Sequence, residues 1–235
     1  MDFVTEHTEQ TGRIRMGNLW VEPCVVGMIG TNCYIVYRKD GQKADGEYVP
    51  AVVIDPGDNA PLISNRCREL GVKPEVILLT HGHFDHILAV EDMRRSFDVP
   101  VYAGEKEKAL LSEPSLNLSG TGREGVSLEA QRWLKEGETV NFLGEEWKIL
   151  FTPGHTEGSI CYYVEKEQAL FSGDTLFCRS VGRTDLPTGD SSRLVESVTG
   201  LLSDLPEETR VYPGHGEGSS IGYERKRNPM ARYVR

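Results

Sequence analysis

Short apolar runs with the length of strands begin near the start of the chain. Residues 12–23 and 27–37 read as two strands and 49–55 as a third, with the polar stretch 39–47 as a surface hairpin. The period then changes: Leu62, Ile63, Cys67 and Leu70 recur at helical spacing over 59–70, and Gly71 closes the run as a C-terminal cap. The next run, EVILLT over 75–80, is rich in β-branched and aliphatic residues and reads as a buried strand. Beyond it the pattern predicts a helix over 87–97, a short strand over 100–103 and a helix over 105–111. The polar connection 112–129, which carries Gly and Ser, is long for a compact domain and reads either as an active-site rim or as a surface loop.

The second half returns to strands. Residues 139–142 with 147–151, and 159–164 with 169–172, form two hairpin patterns; Asp190 caps a helix to about residue 203, and 210–212 is a further strand. Two β-rich stretches, each followed by helices, predict two sheets packed face to face with helices outside. The expectation is one domain over 1–235, with an extended N-terminal segment over 1–15.

Composition narrows the function classes. The chain has 235 residues, 38% of them hydrophobic, enough for a substantial core. A formal net charge of −10 argues against a nucleic-acid surface and against an anionic membrane surface, both of which require basic patches. Asp2, Glu6 and Glu9 stand where a leader would need apolar residues, and no stretch approaches the roughly 18–20 apolar residues of a membrane span. A cytoplasmic protein is therefore expected. Cys24, Cys33, Cys67, Cys161 and Cys178 are odd in number and scattered without a CxxC, so they read as reduced thiols.

The chemistry concentrates in THGHFDH, residues 80–86, which packs His81, His83, Asp85 and His86 into one turn at the end of a buried strand. His155 in FTPGHTEGS, Asp174 in FSGDTLF and His215 in YPGHGEG repeat that setting, each just past a strand in a glycine-rich turn that lets a short side chain aim inward. One such loop alone would be an ordinary surface feature. Five histidines and two aspartates placed alike are a metal-ligand set, and imidazole with carboxylate suits zinc, iron or manganese. Seven ligands exceed the needs of one ion. His81 and His83, alternating along an extended stretch, can face one ion, and Asp85 with His86, one step later, a second. Arg183 and Asp185 in SVGRTDL follow the Asp174 loop closely enough to brace the site without ligating.

THGHFDH, His155, Asp174 and His215 resemble, in order and setting, the five-motif signature of the metallo-β-lactamase superfamily, over about residues 20–229. The resemblance implies a four-layer αβ/βα sandwich with the metals at one edge of the sheets. It implies His81, His83 and His155 for one metal, Asp85, His86 and His215 for the other, and Asp174 bridging both, with Asp85 and Asp174 as the catalytic carboxylates. PGHTEGS, GDTLFCRSVGRTD and PGHG followed by YERKRNP look most like the glyoxalase II group, in its small bacterial branch without the C-terminal helical domain that supplies basic groups for glutathione. Arg225, Lys226 and Arg227 are then either a small basic patch for that carrier or a solvated helix face.

The implied cofactors are two divalent ions, zinc first, with iron and manganese as alternatives. The implied reaction is hydrolysis of a small-molecule thioester by a hydroxide shared between them. A thiol with a pKa near 8.5 leaves without a proton, so the lack of a spare histidine near these loops, only His7 of the polar N-terminal segment being left over, favours a thioester over an amide. Two divalent ions, two carboxylates and a hydroxide leave a site charge of about +1, which suits an anionic substrate. The rival reading is a mononuclear iron persulfide dioxygenase using His81, His155 and Asp174 as its triad.

Overall fold

The computed structural model describes residues 14–38, 48–120 and 124–234. The hairpin expected over 39–47 and the N-terminal segment up to residue 13 lie outside the described residues. Where one strand was expected over 12–23 there are two, β1 (Ile14–Met16) and β2 (Leu19–Val26). Gly17 turns the chain between them with φ 44°, and Met16 pairs back onto Leu19. β3 (Thr31–Arg38) and β4 (Val49–Ile54) continue the antiparallel sheet.

α1 (Ala60–Leu70) then leads to β5 (Val72–Leu78), which pairs parallel to β4. The Asn59 side chain caps the Leu62 N–H, and Gly71 closes the helix at φ 68°. The helix expected over 87–97 is broken into α2 (Phe84–Ile87) and α3 (Val90–Phe97). The break comes from a distant segment: the Ala89 N–H goes to the Pro56 carbonyl in the β4–α1 loop, and the Leu88 N–H is shared between Phe84 O and Gly57 O. β6 (Val101–Gly104), α4 (Lys108–Ser112) and β7 (Arg132–Leu134) complete a seven-stranded sheet in the order β1 to β7.

The second sheet is built from β8 (Thr139–Phe142), β9 (Glu145–Phe151), β10 (Ile160–Val164) and β11 (Ala169–Gly173). A small hairpin, β12 (Leu176–Phe177) with β13 (Ser180–Val181), precedes α5 (Ser191–Asp204). β14 (Arg210–Pro213) and β15 (Ser219–Ser220) join the edge, giving the order β15-β14-β11-β10-β9-β8, and α6 (Ile221–Arg227) follows.

Side-chain alternation makes the layers. On β3, Tyr34 and Val36 face the second sheet, where they meet Trp147, Tyr162, Phe171 and Tyr212, while Cys33, Ile35 and Tyr37 pack towards Ile63 and Cys67 of α1 and Met93 of α3. The outer face of the second sheet is covered by Leu194, Val198, Leu201 and Leu202 of α5. The result is the four-layer αβ/βα sandwich. Trp147 and Phe171 are fully buried and stacked with centroids 5.6 Å apart, and truncating either to alanine costs about 3–5 kcal/mol.

The topology also decides where the site lies. β4 and β5 run parallel, as do β11 and β14, and β9 shares their direction because β10 is antiparallel to both β9 and β11. Within each sheet, then, the loops leaving these strands emerge at one end. Main-chain hydrogen bonds from Ile160 N, at the start of β10, to Thr80 O (2.9 Å) and from Asn32 N of β3 to Gly214 O (2.7 Å) tie these loops of each sheet to a strand of the other.

Candidate metal centre

All seven side chains singled out in the sequence converge at this edge. His81 and His83 leave β5 in extended chain, and Asp85 and His86 lie in α2. His155 comes from the β9–β10 loop, Asp174 directly follows β11, and His215 follows β14. Their ligand atoms form three groups, each within 4.8 Å: His81, His83 and His155; His81, His86 and Asp174; Asp85, His86 and His215.

In the first group, His155 Nε2 lies 2.8 Å from His83 Nδ1 and 3.2 Å from His81 Nε2. Four ligands bound at about 2.0–2.1 Å in a tetrahedron stand about 3.3 Å apart, so three imidazole nitrogens are already at nearly the spacing of one coordination shell. In the second, His215 Nε2 is 3.1 Å and His86 Nε2 3.3 Å from the same oxygen, Asp85 Oδ2. Asp174 lies between the groups, its oxygens 3.4 Å from His86 Nε2, 3.5 Å from His155 Nε2 and 3.6 Å from His215 Nε2. Among the described residues, the buried His86 Nε2 and Asp174 Oδ1 lack a hydrogen-bond partner, a costly arrangement that a cation between them would relieve. The donor set therefore fits divalent metal.

Burial and charge polarise the two groups differently. Burial, reinforced for His81 and His83 by neighbouring imidazoles, lowers His81 and His155 and brings His83 down to about 3, so these three are neutral ligands at physiological pH. Burial also acts to lower His86 and His215, but Asp85 and Asp174 outweigh it for both, joined at His86 by Asp55, and both are raised. Burial pushes Asp85 and Asp174 upward, and the adjacent imidazoles overcome it, so both carboxylates are lowered.

Three supports escaped the sequence reading. Asp55, at the end of β4, accepts from Thr80 N (2.8 Å), from Thr80 Oγ1 (2.6 Å) and at 3.0 Å faces His86 Nδ1, which leaves His86 Nε2 to point at the cluster. Its signal was present, since VVIDPGD is again a carboxylate at a strand end before a glycine-bearing turn. Thr31 donates its hydroxyl to Asp85 Oδ2 at 2.8 Å, and nothing in its own sequence setting marks it. Glu107, fully buried, bonds to the loops carrying His81 and His155. Close packing fixes the His215 loop as well: a Cβ on Gly214 would stand 2.2 Å from Asp174 Oδ1 and 2.7 Å from His86 Cε1.

Arg183 braces the site through its main chain, whose carbonyl accepts from His155 Nδ1 at 2.8 Å. Its guanidinium turns outward to Asp185, and this bidentate pair, with both contacts at 2.7 Å, is solvent-exposed. The connection after α4 is pinned at Asn117, which is buried, accepts from Phe84 N at 2.8 Å and bonds Val126 O at 2.9 Å. It thereby supports the start of α2 beside Asp85. Arg225 is committed elsewhere: its guanidinium caps α5, donating to the carbonyls of Leu202, Ser203 and Leu205. Of the basic triplet, only Lys226 and Arg227 are exposed.

Comparison with known proteins agrees with this geometry. The probable metallo-hydrolase YqgX of Bacillus subtilis is 37% identical over 207 residues, covering 87% of this chain and 94% of the relative. Hydroxyacylglutathione hydrolase GloC of Haemophilus influenzae is 35% identical over 183 residues, covering 77% and 86%. Among solved structures, BLEG-1 B3 metallo-beta-lactamase superposes with a TM-score of 0.82 at 38% identity, covering 91% of this chain and 99% of that one. TTHA1623, crystallised in a di-iron-bound form, gives 0.75 at 37%, covering 89% and 100%. ETHE1 of Myxococcus xanthus gives 0.68 at 28%, covering 89% and 83%. Residues 27–215 match the sequence model of the metallo-beta-lactamase superfamily, and with the sandwich, the histidine and aspartate cluster and these relatives in agreement, the chain belongs to that superfamily.

Proposed function

We propose that the protein is a metal-dependent thioester hydrolase of the glyoxalase II type. The ligands in this reading are His81, His83 and His155 for one divalent ion, Asp85, His86 and His215 for the other, and Asp174 for both. When bound, two such ions supply a hydroxide at neutral pH and polarise an acyl carbonyl. The observation that carries the choice of thioester is that every described histidine is committed to the cluster. None stands apart to protonate a departing amine, whereas a thiol departs as thiolate.

The residues around the ligands do the positioning. Asp55 holds His86 in one tautomer, the Arg183 carbonyl does the same for His155, and Thr31 fixes the carboxylate of Asp85. Asp55 also corrects the charge argument for an anionic substrate, because this third carboxylate against the cluster cancels the surplus of about +1. The thioester reading therefore rests on the leaving group, and its support by name is the 35% identical GloC. With Arg225 capping α5, the proposal extends to thioesters of glutathione and of other thiols alike.

The persulfide dioxygenase reading draws on the ETHE1 and di-iron likenesses. The Asp85, His86 and His215 group argues for the hydrolase, since it is as fully assembled as the first. The test is purified protein of measured metal content, assayed with S-lactoyl-glutathione and with glutathione persulfide in an oxygen electrode, and with a β-lactam in view of BLEG-1. Thioester cleavage without oxygen, supported by zinc, is the expected result. Stoichiometric oxygen uptake with persulfide at one iron per chain, or turnover of the β-lactam alone, would refute the proposal.

A further inference from the structure

Glu107 is a carboxylate with no exposed surface, and the groups bonded to it are neutral. Its two oxygens are divided between two loops. Oε2 accepts from Gly82 N at 2.7 Å, and Gly82 is the residue between His81 and His83. Oε1 accepts from Thr156 Oγ1 at 2.6 Å and from Gly158 N at 3.0 Å, in the loop that presents His155. One side chain from the segment after β6 thus grips both sources of the three-histidine group, which are 72 residues apart at the His83 to His155 contact.

The packing shows that this grip is close. A Cβ on Gly82 would stand 2.7 Å from Leu110 Cδ2, and one on Gly158 would stand 2.5 Å from Glu107 N, so the segment 105–112 lies directly against both loops. Thr156 is held in turn by Ser159, whose hydroxyl is 2.7 Å from Thr156 Oγ1 and accepts from Thr156 N at 3.2 Å. The second group has no contact with Glu107: its supports are Asp55 and Thr31.

We infer that Glu107 is a positioning residue for one ion only, setting the spacing of His81, His83 and His155 by tying Gly82 to Thr156 and Gly158. This rests on the metal reading above and holds for either reaction. In its ionised form the side chain presents an acceptor at both oxygens to the three donors the site offers. The isosteric amide would set its NH2 against the Gly82 N–H in one orientation and against the Gly158 N–H in the other, so either orientation pushes the two loops apart.

The test is cobalt(II) titration of apo-protein, followed by absorption, with E107Q placed in two backgrounds that each retain one group. Wild-type protein is expected to bind two tight equivalents. In His215→Ala, where the three-histidine group is intact, E107Q is expected to weaken the tight equivalent by about 10 to 100-fold, as loss of a ligand-orienting partner does. In His83→Ala, which retains the other group, E107Q should change the affinity less than threefold. Equal weakening in both backgrounds, or none in either, would overturn the proposal. Wild-type protein that takes up no cobalt would overturn the metal reading and this inference with it. Should E107Q fail to fold, T156V, which removes one of the three donors and keeps the shape, carries the same expectation.

Discussion

Replacement of Asp55 by asparagine is the sharpest probe of how the cluster is organised. Oδ2 of Asp55 receives both Thr80 Oγ1 and His86 Nδ1, and Oδ1 receives Thr80 N. If the amide nitrogen takes the δ1 place it opposes the Thr80 N–H. If it takes the δ2 place it must donate to His86 Nδ1, which moves the ring proton to Nε2, the atom that faces Asp85 and Asp174 at 3.3 and 3.4 Å. A protonated Nε2 is no ligand. A hydrogen bond to a charged group is worth about 1.5–3 kcal/mol, which at 1.36 kcal/mol per decade is roughly 10 to 150-fold in affinity for the ion that His86 serves. The assay is competition of apo-protein against a chromophoric chelator, with one ion expected to weaken by that factor and activity recovered at excess metal. Two ions held by D55N as tightly as by wild type would refute the tautomer argument.

Asp174→Ala should cost both ions, because Asp174 lies within 3.6 Å of His86, His155 and His215, whereas His81→Ala should cost chiefly one; metal analysis after dialysis separates them. Asp185→Asn should leave metal content and melting temperature at wild-type values, since the pair it breaks is exposed and the brace on His155 is a main-chain carbonyl; loss of metal would show that the side chain takes part. Burial pushes Glu107 up from 4.5 to about 7, its hydrogen bonds opposing. The folded state then holds a proton that the unfolded state has lost between those values, so this group's contribution is most favourable below about pH 4.5 and declines as pH rises through 7, by up to about 3 kcal/mol in metal-free protein. The stability difference between wild type and E107Q, followed by urea unfolding across that range, should shift by that sign and order; a flat difference would show that Glu107 titrates normally.

Most of the sandwich was legible because each strand carries its own apolar period, and the ligand set because each member sits in a glycine-bearing turn at a strand end. What could not be read was contact between distant segments. The break between α2 and α3 comes from carbonyls of Pro56 and Gly57, some thirty residues away, competing for the helix N–H groups, while the local sequence is continuous with a helix. Thr31 and Glu107 look like ordinary surface residues until the fold buries them against Asp85, Gly82 and Thr156. Asp55 differs, as the rule that found Asp174 applies equally to it. The Arg183 brace was invisible for another reason, since it is made by a backbone oxygen that any residue would supply.

The division of the ligands between the two sheets has a mechanical consequence. His81, His83, Asp85 and His86 belong to the first sheet's loops, and His155, Asp174 and His215 to the second's. Each ion would therefore be a clasp fastening the halves of the sandwich, and its grip would add to the cohesion of the face between them. At a free concentration one hundred times its dissociation constant, each clasp would contribute about 2.7 kcal/mol against unfolding. Heat resistance would then track metal supply, and a chelator would loosen the seam between the sheets before it disturbed the interior of either.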